Sequence, residues 1–421
     1  MSQTVPQPLS SAVDATSMRG AGKDLLSLAL MDARNHSLHL MGQLQHAVAD
    51  LQFAKTLPPQ RRAEVPPPLW LLGHIGWFQE FWIGRNTQRA QGLQCASQPT
   101  RLASIAPHAD ASYDPANTPL AARWERTLPD LATTKTYLLE TLESTLELLE
   151  KTDDSDAALY FYRLALAYED QCAEQLAVTA QVLGLPLAFE AALTTRAREP
   201  LLLPATRWQQ GTGTDGFYWD NEAPQYEVKV PEFEIDAQAV SWAQYVEFVG
   251  DGGYDERAHW SAAGWAWLQA LTTQEGRRGP RFVEQIGVAS GAVMQTRFGR
   301  AERAAGASSA LHLSWYEADA YAHWAGRRLP TEVEWEVAAH RAAGQGFRWG
   351  DVWEWTASTF RPYPGFVAAP WHDYSAQGFE HSKVLRGASF TTRARMKTPK
   401  FRGFARPEMD AGFFGFRTCA N

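Results

Sequence analysis

The sequence predicts an α+β chain of two domains, an N-terminal four-helix bundle followed by a domain with little regular structure. Two observations carry this. Up to about residue 183 the apolar residues recur at helical spacing in four long runs, the pattern of a helix bundle. Beyond Pro204 they alternate over four or five residues or gather in Gly-punctuated aromatic clusters, which is not helical spacing. A chain of 421 residues has length for two or three domains. The expected division is a disordered lead-in over 1–20, the bundle over 21–184, a linker over 185–204 and the second domain over 205–421.

The first bundle helix opens at Asp24, whose carboxylate suits an N-cap, and runs from Leu25 to about Leu51. Leu25, Leu28, Met31 and Leu38 form its apolar stripe, while Asp32, His36, His39 and Gln43 share another face. Two histidines near one carboxylate are either ligands or part of a solvated polar face. The prolines of Val65-Pro66-Pro67-Pro68 can only precede or open a helix, so the second helix starts near Leu69. It carries Gly73-His74-Ile75-Gly76-Trp77-Phe78, where His74 is either a satisfied core histidine or a ligand. Residues 84–128 are polar and irregular, a functional loop or a surface wrap. Asp130 caps a third helix reaching Leu149, and a fourth runs from Asp156 to Leu183.

In the second domain Tyr226–Val230 and Phe233–Asp236 alternate as strands, and Ser241–Val249 is a short helix ended by Asp251-Gly252-Gly253. Ser314–Gly326 is another, and Thr331 caps the next with Glu334 at the capping-box position. The most aromatic stretch is Gly-Asp-Val-Trp-Glu-Trp-Thr-Ala-Ser at 350–358, where Trp349, Trp353 and Trp355 are expected to crowd around Glu354.

Composition excludes several functions. With 45% hydrophobic and 20% charged residues the chain is that of a soluble globular protein. No apolar run approaches the roughly 20 residues that span a bilayer. Residues 1–19 lack the apolar core of a signal peptide. A net charge of −8 without a basic cluster argues against nucleic acid or an anionic membrane as partner. Cys95, Cys172 and Cys419 are odd in number and form no CxxC pattern, so a reducing cytoplasm is expected.

The order of the motifs carries a resemblance. Asp220-Asn221-Glu222, Asp251-Gly252-Gly253-Tyr254, Ser314-Trp315-Tyr316-Glu317, Gly326-Arg327-Arg328-Leu329-Pro330-Thr331-Glu332, the 350–358 stretch, Val384-Leu385-Arg386-Gly387-Ala388-Ser389-Phe390 and the closing Gly412-Phe413-Phe414-Gly415-Phe416-Arg417 follow one another. This second domain resembles the sulfatase-modifying-factor domain of formylglycine-generating enzymes, with their C-type-lectin-like fold, and of EgtB-type sulfoxide synthases. The bundle with its Gly-His segment resembles the DinB-like domain that precedes it in the EgtB family. The wording of the bundle looks closest to the selenoneine synthase branch. The resemblance implies non-heme iron(II), O₂ and hercynine, with a selenosugar donor in that branch or a thiol such as γ-glutamylcysteine in the other.

It also implies three histidine ligands, one in the Gly-His segment and two in a His-x-x-x-His-x-Glu on the last bundle helix. His74 matches the first. The last helix here reads Leu-Ala-Leu-Ala-Tyr-Glu-Asp-Gln-Cys-Ala-Glu at 164–174, so Tyr168 and Cys172 stand where the two histidines stand, and Glu174 matches the trailing Glu. Either Tyr168 and Cys172 are anionic metal ligands beside His74, or His36 or His39 is recruited, or the site is metal-free and the chain a binding scaffold. Tyr374 is the match for the family's active-site tyrosine, a phenol able to deliver a proton. Arg386, Arg393, Arg395, Arg402 and Arg406 form a late cluster whose forks suit a substrate carboxylate, some of them serving instead as partners of Glu354 and Asp410. The expected substrate-binding set is Arg386, Arg402, Arg406, Asp410 and Trp353. Formylglycine generation is disfavoured: Arg386-Gly387-Ala388-Ser389-Phe390 leads into Thr391-Thr392, with no cysteine before Cys419.

Overall fold

The computed structural model describes residues 15–49, 57–189, 198–213 and 215–421. Residues 1–14 of the expected lead-in, the expected end of the first helix at Leu51 and linker residues 190–197 lie outside the described residues.

The N-terminal half is helical. Its helices are α1 (Ala15–Arg19), α2 (Lys23–Ala49), α3 (Pro59–Glu64), α4 (Pro68–Gln79), α5 (Ala109–Tyr113), α6 (Leu131–Glu150) and α7 (Asp156–Leu183). The long ones, α2, α4, α6 and α7, pack together as the bundle. The local chemistry sets their ends. Pro68 opens α4 without wasting an N–H. The Asp130 side chain accepts from the Thr133 N–H at the start of α6, and Ser155 does the same for Ala158 at the start of α7. Gly184, at φ +69°, closes α7 in the left-handed region. Helix α4 continues as one π-helical turn, Glu80–Gly84, which turns Glu80 inward to accept from Tyr137, Ser104 and the Ile105 N–H.

Residues 15–19 are not part of a disordered lead-in. They form α1 because Arg19 reaches the buried Glu222 of the second domain through two bonds of 2.8 Å, and the Arg19 carbonyl accepts from the Phe217 N–H. The expected linker ends early too. Leu201–Leu203 is strand β1, paired antiparallel with β4 (Phe233–Ile235).

The second domain holds further small sheets. Strand β2 (Thr206–Gln210) pairs with β3 (Tyr226–Val230). Strands β5 (Val283–Gly287), β6 (Ala292–Arg297) and β7 (Arg300–Ala304) form an antiparallel meander that the sequence reading did not resolve. The central sheet has the order β10 (Gly403–Ala405), β9 (Lys383–Gly387), β8 (Trp353–Thr359), β11 (Phe414–Phe416), with β11 parallel to β8. Helices α8 (Trp242–Gly250), α9 (Ala262–Glu275), α10 (Trp315–Trp324), α11 (Glu332–Arg341) and α12 (Asp373–Ala376) surround it. Capping boxes at Ser241, Ser314 and Thr331 start α8, α10 and α11.

The 350–358 stretch is the central strand, and alternation along it overturns one expectation. Trp353 and Trp355 point to the face opposite Glu354, so the tryptophans on either side do not ring that carboxylate. Glu354 instead takes Arg417, at 2.5 and 2.8 Å, and the indole N–H of Trp335.

The two halves share one core. Leu30, Leu71, Phe161 and Leu176 of the bundle belong to the same buried cluster as Phe217, Trp219, Phe401 and Phe413 of the second domain. Each such side chain contributes about 1.5–3 kcal/mol when removed from water, so the boundary is held as a domain interior is. Helix α7 forms much of the bundle's side of that boundary, through Asp170, Gln171 and Glu174.

Candidate active site at the domain boundary

His74 is placed by one glycine, Gly73, and by the helix-bearing loop that packs against it. A Cβ at Gly73 would lie 2.2 Å from the Tyr113 ring, so only glycine lets α5 pack this close to α4. That approach brings the Tyr113 carbonyl to 2.8 Å from His74 Nδ1. A carbonyl only accepts, so Nδ1 carries the proton and the Nε2 lone pair faces across the bundle. There it meets the Tyr168 hydroxyl at 2.7 Å. Trp70 stacks on the imidazole at 4.6 Å, and burial pushes the His74 pKa down to about 3, so the ring is neutral.

Cys172 follows Tyr168 by one turn of α7, close enough to the phenol for each to perturb the other. Burial holds both protons on, well above the usual phenol and thiol ranges. The structure therefore links His74 to Tyr168 by a hydrogen bond, and Tyr168 to Cys172 as neighbours on α7. His36 and His39 stay on α2: His39 bonds Gln43 at 3.0 Å, and burial followed by Arg393 lowers His36 to about 4.

Arg123 completes the group. Its Nε donates to the Thr118 carbonyl, its guanidinium lies 3.7 Å over the Trp70 ring, and its charge is felt by Tyr168 and Cys172. Among the described residues no carboxylate pairs with it. The sequence reading missed Arg123 because residues 84–128 carry no periodicity that would aim a side chain.

The second domain roofs this cluster. Trp371 stands edge-on to Phe78 and Tyr168 at 4.8 and 4.9 Å. Tyr374 stacks on Trp219 at 4.4 Å, and its hydroxyl accepts from Gln171 Nε2 at 2.9 Å. Gln171 was also missed, although it precedes Cys172 on the same helix. Two small clefts flank the Tyr374–Gln171 contact along the boundary. One, of about 20 Å³, is lined by Met18, Leu166, Phe217 and Trp219; the other, of about 30 Å³, by Gln171, Glu174, Trp353 and Phe401.

The remaining expected residues are placed as follows. Trp353 lines the second cleft and donates its indole N–H to Glu174 at 2.6 Å. Ser389 and Thr392 also donate to Glu174, at 2.6 and 2.8 Å, so the Arg-Gly-Ala-Ser turn clamps α7. Arg386 and Arg402, expected to grip a substrate, are spent inside the domain. Arg386 is fully buried with Glu336 and bonds the Phe401 carbonyl at 3.0 Å; it is not a partner of Glu354. Arg402 takes Glu332 at 2.8 Å and the Asn221 carbonyl at 2.6 Å. Asp410 accepts from Arg277 and Arg281 at 2.5 and 3.0 Å. Arg406 is exposed, 3.9 Å from Glu408. Arg393 and Arg395 bridge to Asp32 on α2, and Arg395 also to Asp170 on α7.

Among the described residues a three-imidazole metal set is not present, and no group of three or more His, Cys, Asp or Glu side chains could hold a metal. What converges is one imidazole, one phenol and one thiol. As donors these suit an iron ion only once the phenol and thiol give up the protons that burial holds on them; the carbonyl on Nδ1 and the nearby Arg123 charge favour that exchange.

Such a bundle joined to an α+β domain of small sheets defines a two-domain α+β protein, with the candidate site at the seam. The comparisons agree. The sulfatase-modifying factor enzyme 1-like domain matches residues 187–351 and 347–421, and the DinB superfamily matches residues 30–179. The chain belongs to the sulfatase-modifying-factor family, in the EgtB-like group that carries both domains. It is 29% identical to the hercynine oxygenase of Mycolicibacterium smegmatis, over 83% of this chain and 90% of that protein. It is 28% identical to the hercynine oxygenase of Mycolicibacterium thermoresistibile, over 93% and 94%. The formylglycine-generating enzyme of Streptomyces coelicolor is 27% identical over 55% of this chain and 91% of its own. Among solved structures, PvdO from Pseudomonas aeruginosa covers 52% of this chain and 93% of its own at 16% identity and a TM-score of 0.33. No described helix is long and apolar enough to cross a membrane.

Proposed function

We propose that this chain is a cytoplasmic oxidoreductase that joins a chalcogen donor, a thiol or a selenosugar, to the imidazole of hercynine with O₂ as oxidant and iron(II) as cofactor. The observation that carries the reading is the convergence of His74 Nε2, Tyr168 and Cys172 beneath the Trp371 and Tyr374 loop of the second domain. His74, Tyr168 and Cys172 would hold the iron, which when bound supplies the means of activating O₂. Arg123, a cation without a carboxylate partner among the described residues, is suited to the carboxylate of a donor. Gln171 holds the Tyr374 hydroxyl, the group able to carry a proton to or from the reacting atoms. Trp70, Phe78 and Trp371 exclude water around this point.

A second reading is a binding scaffold without turnover. It is favoured by the Tyr168 hydroxyl already occupying His74 Nε2. The test is anaerobic reconstitution with iron(II), addition of hercynine and either donor, and admission of O₂ with products read by mass. Turnover lost in His74→Ala supports the enzyme. Protein that binds one iron and gives no product with either donor leaves the scaffold.

A further inference from the structure

The 3-10 turn Asp220–Glu222 and the tryptophan before it grip the segment that carries Tyr374. Trp219 stacks beneath the Tyr374 ring at 4.4 Å. Asp220 and Asn221 both reach Ser375, the next residue: Ser375 Oγ donates to Asp220 and accepts from Asn221 Nδ2 at 3.1 Å. Burial raises the Asp220 pKa, and the Ser375 hydroxyl, then the Ala369 N–H, oppose that rise, so the 369–375 segment is what favours this carboxylate. Asp220 is 5% exposed, and Asn221 and Ser375 are wholly buried. Among the described residues no Lys or Arg pairs with Asp220. A carboxylate buried without a cation is costly, and is offset only by the donors it collects. Those donors belong to the Tyr374 segment and to its own turn.

We propose that Asp220 is the positioning residue for Tyr374. Through Ser375, with Asn221, it fixes the 369–375 segment so that the Tyr374 hydroxyl stays on Gln171 and the Trp371 ring stays on Tyr168. The inference rests on the proposed reading only in treating Tyr374 as a participant in the reaction; the positioning itself is tested without turnover.

The experiment is nitration of the folded protein by tetranitromethane, with Tyr374 quantified by peptide mass and the buried Tyr363 as internal control. Asp220→Ala should nitrate Tyr374 roughly tenfold faster than wild type, because removing a buried hydrogen-bond acceptor opens the segment more often. Asp220→Asn keeps an acceptor for Ser375 and should nitrate near the wild-type rate. Tyr363 should be unchanged in both. In the reconstituted assay Asp220→Ala should lower kcat while the KM for donor holds, with partial rescue in Asp220→Asn. A folded Asp220→Ala protein with wild-type nitration of Tyr374 overturns the proposal. Where Asp220→Ala does not fold, Ser375→Ala removes the same contact, and wild-type nitration in that variant overturns it equally. Wild-type protein without turnover sinks the proposed reaction and leaves the nitration result to decide the positioning.

Discussion

His74 Nε2 accepts the Tyr168 hydroxyl proton at 2.7 Å, across the bundle from one helix to the next. The bond depends on the Tyr113 carbonyl, which holds the proton on Nδ1. The pair marks where an i, i+4 set of donors on α7 meets α4.

The double variant Tyr168→His, Cys172→His places two imidazoles one turn apart opposite His74. Each is a neutral nitrogen donor that binds without losing a proton, whereas burial holds the native phenol and thiol protonated. The double variant should bind iron(II) at least roughly tenfold more tightly than wild type at pH 7, the size of effect seen for changes at metal shells. Equal or weaker affinity by competitive chelation would place the donors wrongly.

Arg123→Ala should raise the KM for a carboxylate-bearing donor by roughly tenfold, the loss of one charge-assisted bond. The effect should be smaller for a donor lacking the carboxylate. No difference between the two donors would show that Arg123 serves only to stack on Trp70.

Arg386 pairs with Glu336 where both side chains are wholly buried. Arg386→Ala leaves that carboxylate uncompensated and should cost about 3–5 kcal/mol of unfolding free energy, read by denaturant titration. A variant of wild-type stability with a raised substrate KM would instead return Arg386 to the substrate set.

Glu174 accepts from Trp353, Ser389 and Thr392, so it joins α7 to the central sheet. Glu174→Ala should destabilise by about 1–3 kcal/mol, the cost of leaving buried donors unmet. Proteolysis at the seam should rise with it. Unchanged stability and cleavage would sink this account of the domain contact.

His312 is buried in the second domain beside Phe282 and Phe413, and burial followed by Arg281 lowers its pKa to about 3. The unfolded chain protonates near 6.5 and the fold does not, so the unfolded state binds more protons between those values. The contribution of His312 is therefore fully present above pH 6.5 and is lost as pH falls towards 3. His312→Asn, a residue that tolerates the observed φ of +62°, should flatten this part of the stability–pH curve. An unchanged slope would assign the acid response elsewhere.

The sequence by itself determined the bundle, since periodicity, the Pro66-Pro67-Pro68 run and the Asp130 cap fix α4 and α6 from local chemistry. It also determined the capped helices α8, α10 and α11 and the family, because ordered motifs survive as strings of residues. It pointed to His74, Tyr168 and Cys172 through helical spacing and resemblance. Only the tertiary structure decided the arginines. Nothing local tells Arg386, locked to Glu336, from Arg123, which faces the site, because an ion pair depends on a partner far along the chain. The same holds for the β5–β7 meander, for Arg19 on Glu222 and for Asp220 on Ser375: each is a long-range contact that burial makes favourable and that no short window of sequence contains.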